Sequence, residues 1–196
     1  MATQQPCGHA HRLLVVIGPS ASGKSGVVRE LHRRGVIRVH PTWTDRPRRH
    51  DERNGSVEHR FVSSAGFDRL CAQGFFLQTA GLAGLPYRYG LAPLPQPTGG
   101  PIDAVILRAP FVDHLTELFH DRLVYQLEDT TQRAYARLRS RGCGPAELDT
   151  RLAGHHAEIA AGRRVAHGVV VNDRPLPALA DTVAAALHAD MTGELP

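Results

Sequence analysis

Cysteine and long apolar runs are both scarce in this chain of 196 residues. The three cysteines, Cys7, Cys71 and Cys143, are far apart and form neither a CxxC metal motif nor a disulfide framework. The longest apolar run near the start, Leu13 to Ile17, has five residues, whereas a membrane-spanning helix needs roughly 20. The N-terminus also lacks the basic-then-apolar layout of a signal peptide. We therefore expect a cytoplasmic protein without a membrane partner.

Lysine is scarcer still, because Lys24 is the only lysine among 23 basic residues. Arginine supplies every other basic side chain, a bias typical of a GC-rich genome. A compact ammonium on a flexible stem fits some phosphate sites that a planar guanidinium does not. The single lysine therefore marks a position where arginine would not serve. The arginines are spread along the chain without a block of like charges, so the net charge of +4 does not by itself indicate nucleic acid.

Short apolar segments alternate with amphipathic ones along the chain. Strands are predicted at 12–17, 36–40, 75–78, 104–107, 122–127 and 169–171. Helices are predicted at 25–34, 63–73, 111–119, 130–141, 146–162 and 176–188. The polar segment 41–60 is predicted to be loop-like, and 92–101 is a Pro/Gly loop. Because the strands are too apolar to have a solvated face, the pattern predicts an α/β fold around a mostly parallel sheet.

Residues 18–25 read GPSASGKS and fit the phosphate-loop pattern G-x-x-x-x-G-K-[ST]. Gly18 and Gly23 permit backbone angles that turn successive N–H groups, including those near Ser20 and Ser22, towards phosphates. Lys24 would reach the β- and γ-phosphates. The predicted metal ligand is the hydroxyl of Ser25, which would bind Mg²⁺. The apolar strand before the loop and the amphipathic helix after it predict an ATP site.

Further segments extend the pattern along most of the chain. The loop is followed by TDRPRRHDERNG, EHRFVS and YRYG, and later by RLRSRG at 137–142 and VVVND at 169–173. This ordered set resembles the guanylate kinase-like family from about residue 12 to 190. The resemblance implies a P-loop three-layer α/β sandwich with a mostly parallel central sheet, a small inserted acceptor-binding lobe and a helical lid. It also implies an ATP-dependent kinase whose acceptor is itself a phosphate group on a small molecule.

The resemblance implies which residues bind that acceptor. Arg46 and Arg49 would bind its phosphate, and Glu52 would support both guanidinium groups. Either Tyr87 or Tyr89 would donate to the same phosphate. The other residues assigned to the acceptor site are Thr42, Asp45, His59, Gln78 and Arg151.

On the donor side, the resemblance implies that arginines of the lid act on ATP. Arg137 and Arg141 would close over its phosphates and stabilise the charge in transfer. Arg151 would join them, and Asn172 and Asp173 would lie near the donor base. The catalytic residues implied in this way are Lys24, Arg137 and Arg141.

Several positions depart from the guanylate kinase pattern. Gln78 stands where the family has a glutamate that accepts from guanine, and His59 replaces a tyrosine. The strand at 104–107 leads to Arg108, where the family carries acids. The residues that the family uses to bind phosphate are retained, whereas several of those that it uses to recognise guanine are replaced. GSVEHRFVS at 55–63 instead resembles ribose 1,5-bisphosphate phosphokinase, a branch of the same family that makes phosphoribosyl diphosphate.

Three kinds of function stay open at this point. The favoured one is phosphoryl transfer from ATP to a nucleoside monophosphate, converting GMP to GDP, with ribose 1,5-bisphosphate as the alternative acceptor. The second is a catalytically silent protein-binding module, and the third is a regulatory NTPase. The intact phosphate loop and lid arginines favour a kinase. A phosphate acceptor needs no general base, whereas a hydroxyl acceptor would make Asp45 a candidate base. The favoured alternatives for Asp45 are a salt-bridge partner or an indirect ligand of Mg²⁺.

The predicted organisation is a flexible tail at 1–11 followed by a single kinase domain at 12–190. The parts of the domain are a core at 12–40 and 102–190, an acceptor-binding lobe at about 41–91, the Pro/Gly loop 92–101 and a lid at about 139–150. We expect the lobe and the lid to close over the substrates and exclude water.

Overall fold

A computed structural model describes residues 13–49, 52, 56–82, 84–95, 100–116, 119 and 121–192. The predicted tail at 1–11 and residues 96–99 of the predicted Pro/Gly loop lie outside the described residues. The strands are β1 Leu13–Ile17, β2 Ile37–Val39, β3 Thr42–Thr44, β4 His59–Phe61, β5 Gln78–Leu82, β6 Leu85–Leu91, β7 Ile102–Ile106, β8 Arg122–Glu128 and β9 Gly168–Val171. The helices are α1 Lys24–Arg33, α2 Ser64–Ala72, α3 Val112–Thr116, α4 Thr131–Ser140, α5 Pro145–Ala153, α6 His155–Val165 and α7 Leu176–Thr192.

The central sheet has the strand order β2-β7-β1-β8-β9, and every neighbouring pair is parallel. Helices α1 and α7 pack on one face of this sheet, and α3 and α6 pack on the other. The predicted three-layer α/β fold with a mostly parallel central sheet is thereby confirmed. No helix in the described part of the chain is both long and apolar enough to cross a membrane.

Strand β1 is buried on both faces because it lies in the middle of this sheet. Leu14 and Val16 pack towards α1 and α7, whereas Leu13, Val15 and Ile17 pack towards α3 and α6. An uninterrupted apolar run is typical of such a strand. The phosphate loop begins at Gly18, directly after the carboxyl end of this central strand.

A second sheet has the order β4-β3-β6-β5, with β3 and β4 parallel and the other pairs antiparallel. The prediction that 41–60 is loop-like was wrong at β3 and β4. Both strands have only three residues and are partly polar, so neither shows an apolar pattern. Long-range packing supports them instead: the Trp43 ring of β3 lies 5.2 Å from that of Phe75, and the His59 ring of β4 lies 5.9 Å from that of Tyr89.

Strand β5 begins where the predicted strand at 75–78 was expected to end, and β6 was not predicted. The sequence does not predict β6 because it contains Pro86, and proline is rare inside sheets. It is tolerated here because β3 pairs only with Tyr89 and Gly90, beyond the proline. Next to it, the pairing of β5 with β6 shifts register between Gly81 and Leu82.

The single helix predicted at 146–162 is two helices, α5 and α6, that meet at Gly154. Glycine is a poor helix former and permits the break. His155 follows it, fully buried, with Nε2 3.0 Å from the carbonyl oxygen of Asp129. The break thus separates the predicted lid region from the helix that packs on the central sheet.

Candidate active site

A tight loop at 18–23 joins β1 to α1. Gly18 and Gly23 have positive φ angles of 139° and 103°. A Cβ on Gly18 would lie 2.1 Å from the carbonyl oxygen of Leu127, and one on Gly23 would lie 2.3 Å from Nδ2 of Asn172. Both positions therefore require glycine. Gly23 is the N-cap of α1 and provides no side-chain cap, which leaves N–H groups of the first turn able to bind an anion.

Lys24 is the first residue of α1, and its ammonium turns back onto the loop. Nζ donates to the carbonyl oxygens of Gly18 and Pro19 at 2.6 and 2.7 Å. Burial lowers the pKa of Lys24 from 10.5 to about 8, and the positive charges of Arg108 and Arg49 add to this effect. Glu158 opposes the shift. The ammonium is thus desolvated and lies near several arginines as well as Glu158, and a phosphate anion would stabilise its charged form.

One cavity extends from the phosphate loop to the second sheet. The loop and the start of α1 line it with Gly18, Ser20, Ser22, Gly23, Lys24 and Ser25. The second sheet and the segment after β3 line it with Thr42, Arg49, His59, Gln78 and Tyr89. The helices on the lid side contribute Arg141 and Arg151. The structure brings these predicted site residues together around one space.

Arg46 and Glu52 form a buried ion pair behind Arg49 and are not among the lining residues. The Arg46 guanidinium donates to both Glu52 carboxylate oxygens, at 2.8 and 2.7 Å. The same carboxylate accepts from the Arg49 backbone N–H at 2.8 Å. Burial opposes ionisation of Glu52, but these hydrogen bonds outweigh it and lower its pKa to about 2. Burial and the charge of Arg46 lower the pKa of Arg49, and the Glu52 carboxylate, 3.8 Å from Nη1 of Arg49, opposes this shift.

Asp45 lies in an ion pair outside the set of lining residues. Its carboxylate accepts from the backbone N–H of Arg88 at 2.7 Å and from Nε of Arg88 at 2.8 Å, and its side chain is 2% exposed. Of the two candidate tyrosines, Tyr89 lines the cavity and Tyr87 does not.

His59 and Gln78 give the second-sheet side of the cavity its polar character. The Nδ1 atom of His59 lies 2.9 Å from Oγ1 of Thr42. Burial, followed by the charge of Arg46, lowers the pKa of His59 to about 4, so the imidazole is neutral near pH 7. Oε1 of Gln78 is buried and has no hydrogen-bond partner among the described residues. A buried acceptor of this kind is costly to leave unpaired and suits a ligand that brings an N–H donor.

Two predicted lid arginines contact the phosphate loop directly. Nη1 of Arg137 donates to the carbonyl oxygen of Ala21 at 2.7 Å and lies 2.5 Å from the carboxylate of Asp129. Nη1 of Arg151 donates to Oγ of Ser20 at 3.5 Å, and its guanidinium pairs with Glu147. Arg137 is not among the lining residues and approaches the loop from its outer side. Sequence patterns gave no sign of Asp129, because the contact depends on where α4 packs.

The two residues predicted near the donor base differ in environment. Nδ2 of Asn172 donates to the carbonyl oxygen of Ser22 at 2.9 Å, so Asn172 supports the loop from behind. Asp173 is exposed and pairs with Arg174, whose hydrogen bond lowers the pKa of the carboxyl group. Neither residue is among those that line the cavity.

Two charged residues that were not assigned a site role also line the cavity, Arg108 and Glu158. They form a bidentate ion pair, with Nε and Nη2 of Arg108 at 2.8 and 2.9 Å from the two carboxylate oxygens. Arg108 was noted only as a departure from an acidic pattern, and Glu158 is 50 residues away in the chain. The sequence feature that could have indicated a site role for Arg108 is its position as a basic residue just after a buried strand.

Comparisons with known proteins give the following matches. A guanylate kinase of Gloeobacter violaceus is 32% identical over 174 residues, which cover 86% of this chain and 84% of that protein. A guanylate kinase of Corynebacterium diphtheriae is 31% identical over 193 residues, covering 92% of this chain and 95% of that protein. A guanylate kinase of Thermobifida fusca is 48% identical over 80 residues, but this match spans only 40% of this chain and 39% of that protein. No family model matches the chain.

The fold is also similar to a crystal structure of a guanylate kinase from Anaplasma phagocytophilum. The TM-score is 0.69 with 20% sequence identity, and the match covers 94% of this chain and 88% of that one. At this level of identity the likeness concerns the fold.

Proposed function

Because the chain belongs to the guanylate kinase family, we propose that it transfers the γ-phosphoryl group of ATP to the phosphate of GMP, producing ADP and GDP. One observation carries this proposal: a single cavity is lined at one end by the phosphate loop with Lys24 and at the other by Arg49, Tyr89 and Gln78. A donor triphosphate and a phosphorylated acceptor can therefore bind in one space.

The donor side follows from the loop geometry. The backbone N–H groups at the start of α1 would bind the ATP phosphates, and Lys24 would exchange its contacts with Gly18 and Pro19 for contacts with the β- and γ-phosphates. Arg141 lines the same cavity and would neutralise charge that develops during transfer. Arg137 would reach the phosphates by moving inward from Ala21.

Ser25 fits a magnesium ion that is bound mainly by the nucleotide. The described residues contain no group of three or more His, Cys, Asp or Glu side chains suited to hold a metal. Magnesium at kinase sites keeps several water ligands and uses few protein ligands besides substrate phosphates, so a single lining hydroxyl is a suitable donor set. The ion would neutralise phosphate charge, and Ser25 would hold it at the start of α1.

On the acceptor side, Arg49 would bind the GMP phosphate, with Glu52 and Arg46 fixing its backbone behind it. Tyr89 would donate to the same phosphate or pack against the base, and Oε1 of Gln78 would accept from a guanine N–H. The neutral imidazole of His59 is held by Thr42 on the same wall. We further propose that the lobe at 41–91 and the lid at 139–150 close over both substrates and exclude water.

The chemical step needs no general base. An oxygen of the ionised acceptor phosphate attacks the γ-phosphorus, and the bond to the bridging oxygen breaks with its electron pair passing to ADP. Alignment and charge neutralisation then account for catalysis. Asp45 receives no proton-transfer role, because its carboxylate is bound to Arg88.

Ribose 1,5-bisphosphate is the second candidate acceptor. The observation in its favour is that the described residues lining the second-sheet end of the cavity include no carboxylate to pair with guanine N–H donors, since Gln78 is a neutral amide.

The proposal is tested by ADP release with Mg-ATP and a panel of acceptors: GMP, dGMP, AMP, CMP, UMP, ribose 1,5-bisphosphate and none. We expect turnover with GMP and its deoxy form. Turnover with ribose 1,5-bisphosphate alone would replace GMP by the second candidate. Release without any acceptor would indicate an NTPase, and silence with ATP still bound would indicate a binding module.

Raising the pH through 8 should weaken productive ATP binding. The pKa of Lys24 is about 8 in the free protein, so the ammonium is present below this pH and is lost above it. The value of kcat/KM for ATP should therefore fall between pH 7.5 and 9.5, by up to about tenfold per pH unit above the pKa. Calorimetry near pH 8.5 in buffers of different ionisation enthalpy should show proton uptake on ATP binding. A flat profile and no proton uptake would contradict the assignment.

A further inference from the structure

Arg108 follows strand β7 at the same edge of the central sheet at which the phosphate loop follows β1. Strand β7 runs parallel to β1 with Ile106 opposite Val16, and the Leu107 N–H donates to the Val16 carbonyl oxygen at 3.1 Å. Continuing this register places Arg108 beside Gly18. The guanidinium reaches the cavity from a rigid strand end rather than from the lid or the acceptor lobe.

Glu158 holds one edge of this guanidinium and leaves the other edge available. The Glu158 carboxylate, on α6, accepts from Nε and Nη2 of Arg108, and its side chain is only 8% exposed. Nη1 has no partner in the part of the chain that the structure describes, and the Arg108 side chain is 31% exposed. Both residues line the cavity. A fixed guanidinium with a free edge in a phosphate-binding cavity is an arrangement suited to an oxyanion.

Arg108 also lies close enough to Lys24 to affect the charge of its ammonium. Among the arginines that lower the pKa of Lys24, Arg108 has the largest effect, followed by Arg49 and Arg141. Arg108 and the acceptor-side Arg49 thus both act on Lys24, whereas Glu158, the partner of Arg108, opposes them. Transfer between two anionic substrates concentrates negative charge between these groups.

We propose that Arg108 is a catalytic arginine whose free Nη1 contacts the phosphoryl group during its transfer, and that Glu158 is the residue that positions it. This inference rests on the proposed kinase function and adds a residue to it. As the acceptor oxygen forms its bond to phosphorus and the bridging oxygen leaves with the electron pair, negative charge spreads over the equatorial oxygens. Arg108 stabilises that charge without exchanging a proton. Its contact is strongest in the transition state, so it acts on kcat more than on substrate affinity.

The test compares R108A with R163A. Arg163 is also paired in a bidentate manner with a glutamate, Glu128, but neither residue of that pair lines the cavity. We expect R108A to lower kcat about a hundredfold, with the KM values for both substrates changed less than about threefold. Added guanidinium ion should restore part of the lost activity to R108A. R163A should retain wild-type kcat within about twofold.

A second variant examines the positioning role. E158Q keeps the size of the side chain but weakens its hold on Arg108, and we expect kcat to fall about tenfold. A merely structural role for the pair would appear as a lower Tm with kcat retained, and would not respond to guanidinium ion. Retention of kcat within threefold in folded R108A overturns the inference while leaving the kinase function intact. A wild-type protein that turns over no acceptor of the panel overturns both.

Discussion

Replacing Lys24 with methionine should lower kcat about a thousandfold while leaving the fold intact. Lys24 supplies the ammonium closest to the loop, held 2.6 and 2.7 Å from two carbonyl oxygens. Methionine keeps the length and apolar stem but removes the charge that would meet the β- and γ-phosphates. Loss of one preorganised electrostatic contact typically costs about two to three orders of magnitude. Steady-state ADP release with saturating Mg-ATP and GMP measures the effect.

Lys24→Arg should be nearly as inactive as Lys24→Met. This variant keeps the positive charge at position 24 but changes the shape of the group that carries it. The Nζ atom fits against the carbonyl oxygens of Gly18 and Pro19 and Oγ of Ser22 on the loop side. A planar guanidinium cannot replace a compact ammonium there without displacing the loop. The matched control is Arg33→Met on the same helix, where the side chain is 71% exposed and pairs with Glu30. Activity of the K24R variant above about a tenth of wild type would show that charge alone is sufficient.

The phosphate loop was predictable because each part of it has a local cause. The apolar run Leu13–Ile17 indicates a buried parallel strand, and glycines at 18 and 23 satisfy backbone angles that other residues rarely adopt. Lys24 and Ser25 then fall at the start of a helix whose apolar positions repeat with helical spacing. None of these steps depends on distant parts of the chain.

The second sheet was not predictable in the same way. Strands β3 and β4 are stabilised by pairing with each other and by aromatic contacts such as that of Trp43 with Phe75, which lie far apart in sequence. Strand β6 contains Pro86, a residue that argues against a strand in any local reading. Tertiary packing outweighs local propensity at these segments.

The same limit applies to charged residues of the site. The pairing of Asp45 with Arg88, of Arg137 with Asp129 and of Arg108 with Glu158 depends on which elements meet in space. A motif places an arginine near a phosphate but does not say whether a carboxylate already holds it. That distinction decides which guanidinium groups have a free edge, and only the three-dimensional arrangement reveals it.

Arg49→Ala should lower kcat/KM for the acceptor by about two orders of magnitude. Among the described arginines of the proposed acceptor lobe, Arg49 is the one that lines the cavity. Burial and the neighbouring Arg46 lower its pKa, so a phosphate dianion would relieve an unfavourable environment. Hydrogen bonds between charged groups contribute about 1.5–3 kcal/mol each, and a guanidinium makes up to two with one phosphate. Kinetics with varied GMP at saturating ATP measure the loss.

The adjacent Arg48 is the matched control for this prediction. Its guanidinium lies 4.4 Å from the centre of the Phe61 ring and is not among the residues that line the cavity. Arg48→Ala should therefore change kcat/KM for GMP less than about threefold, since packing on the partly buried Phe61 ring contributes little to the acceptor site. The KM for ATP should stay near its wild-type value in both variants, because neither arginine belongs to the phosphate loop. Equal losses in the two variants would contradict this prediction. They would indicate that the acceptor is attracted by the overall positive charge of this segment and not by a direct contact between Arg49 and its phosphate.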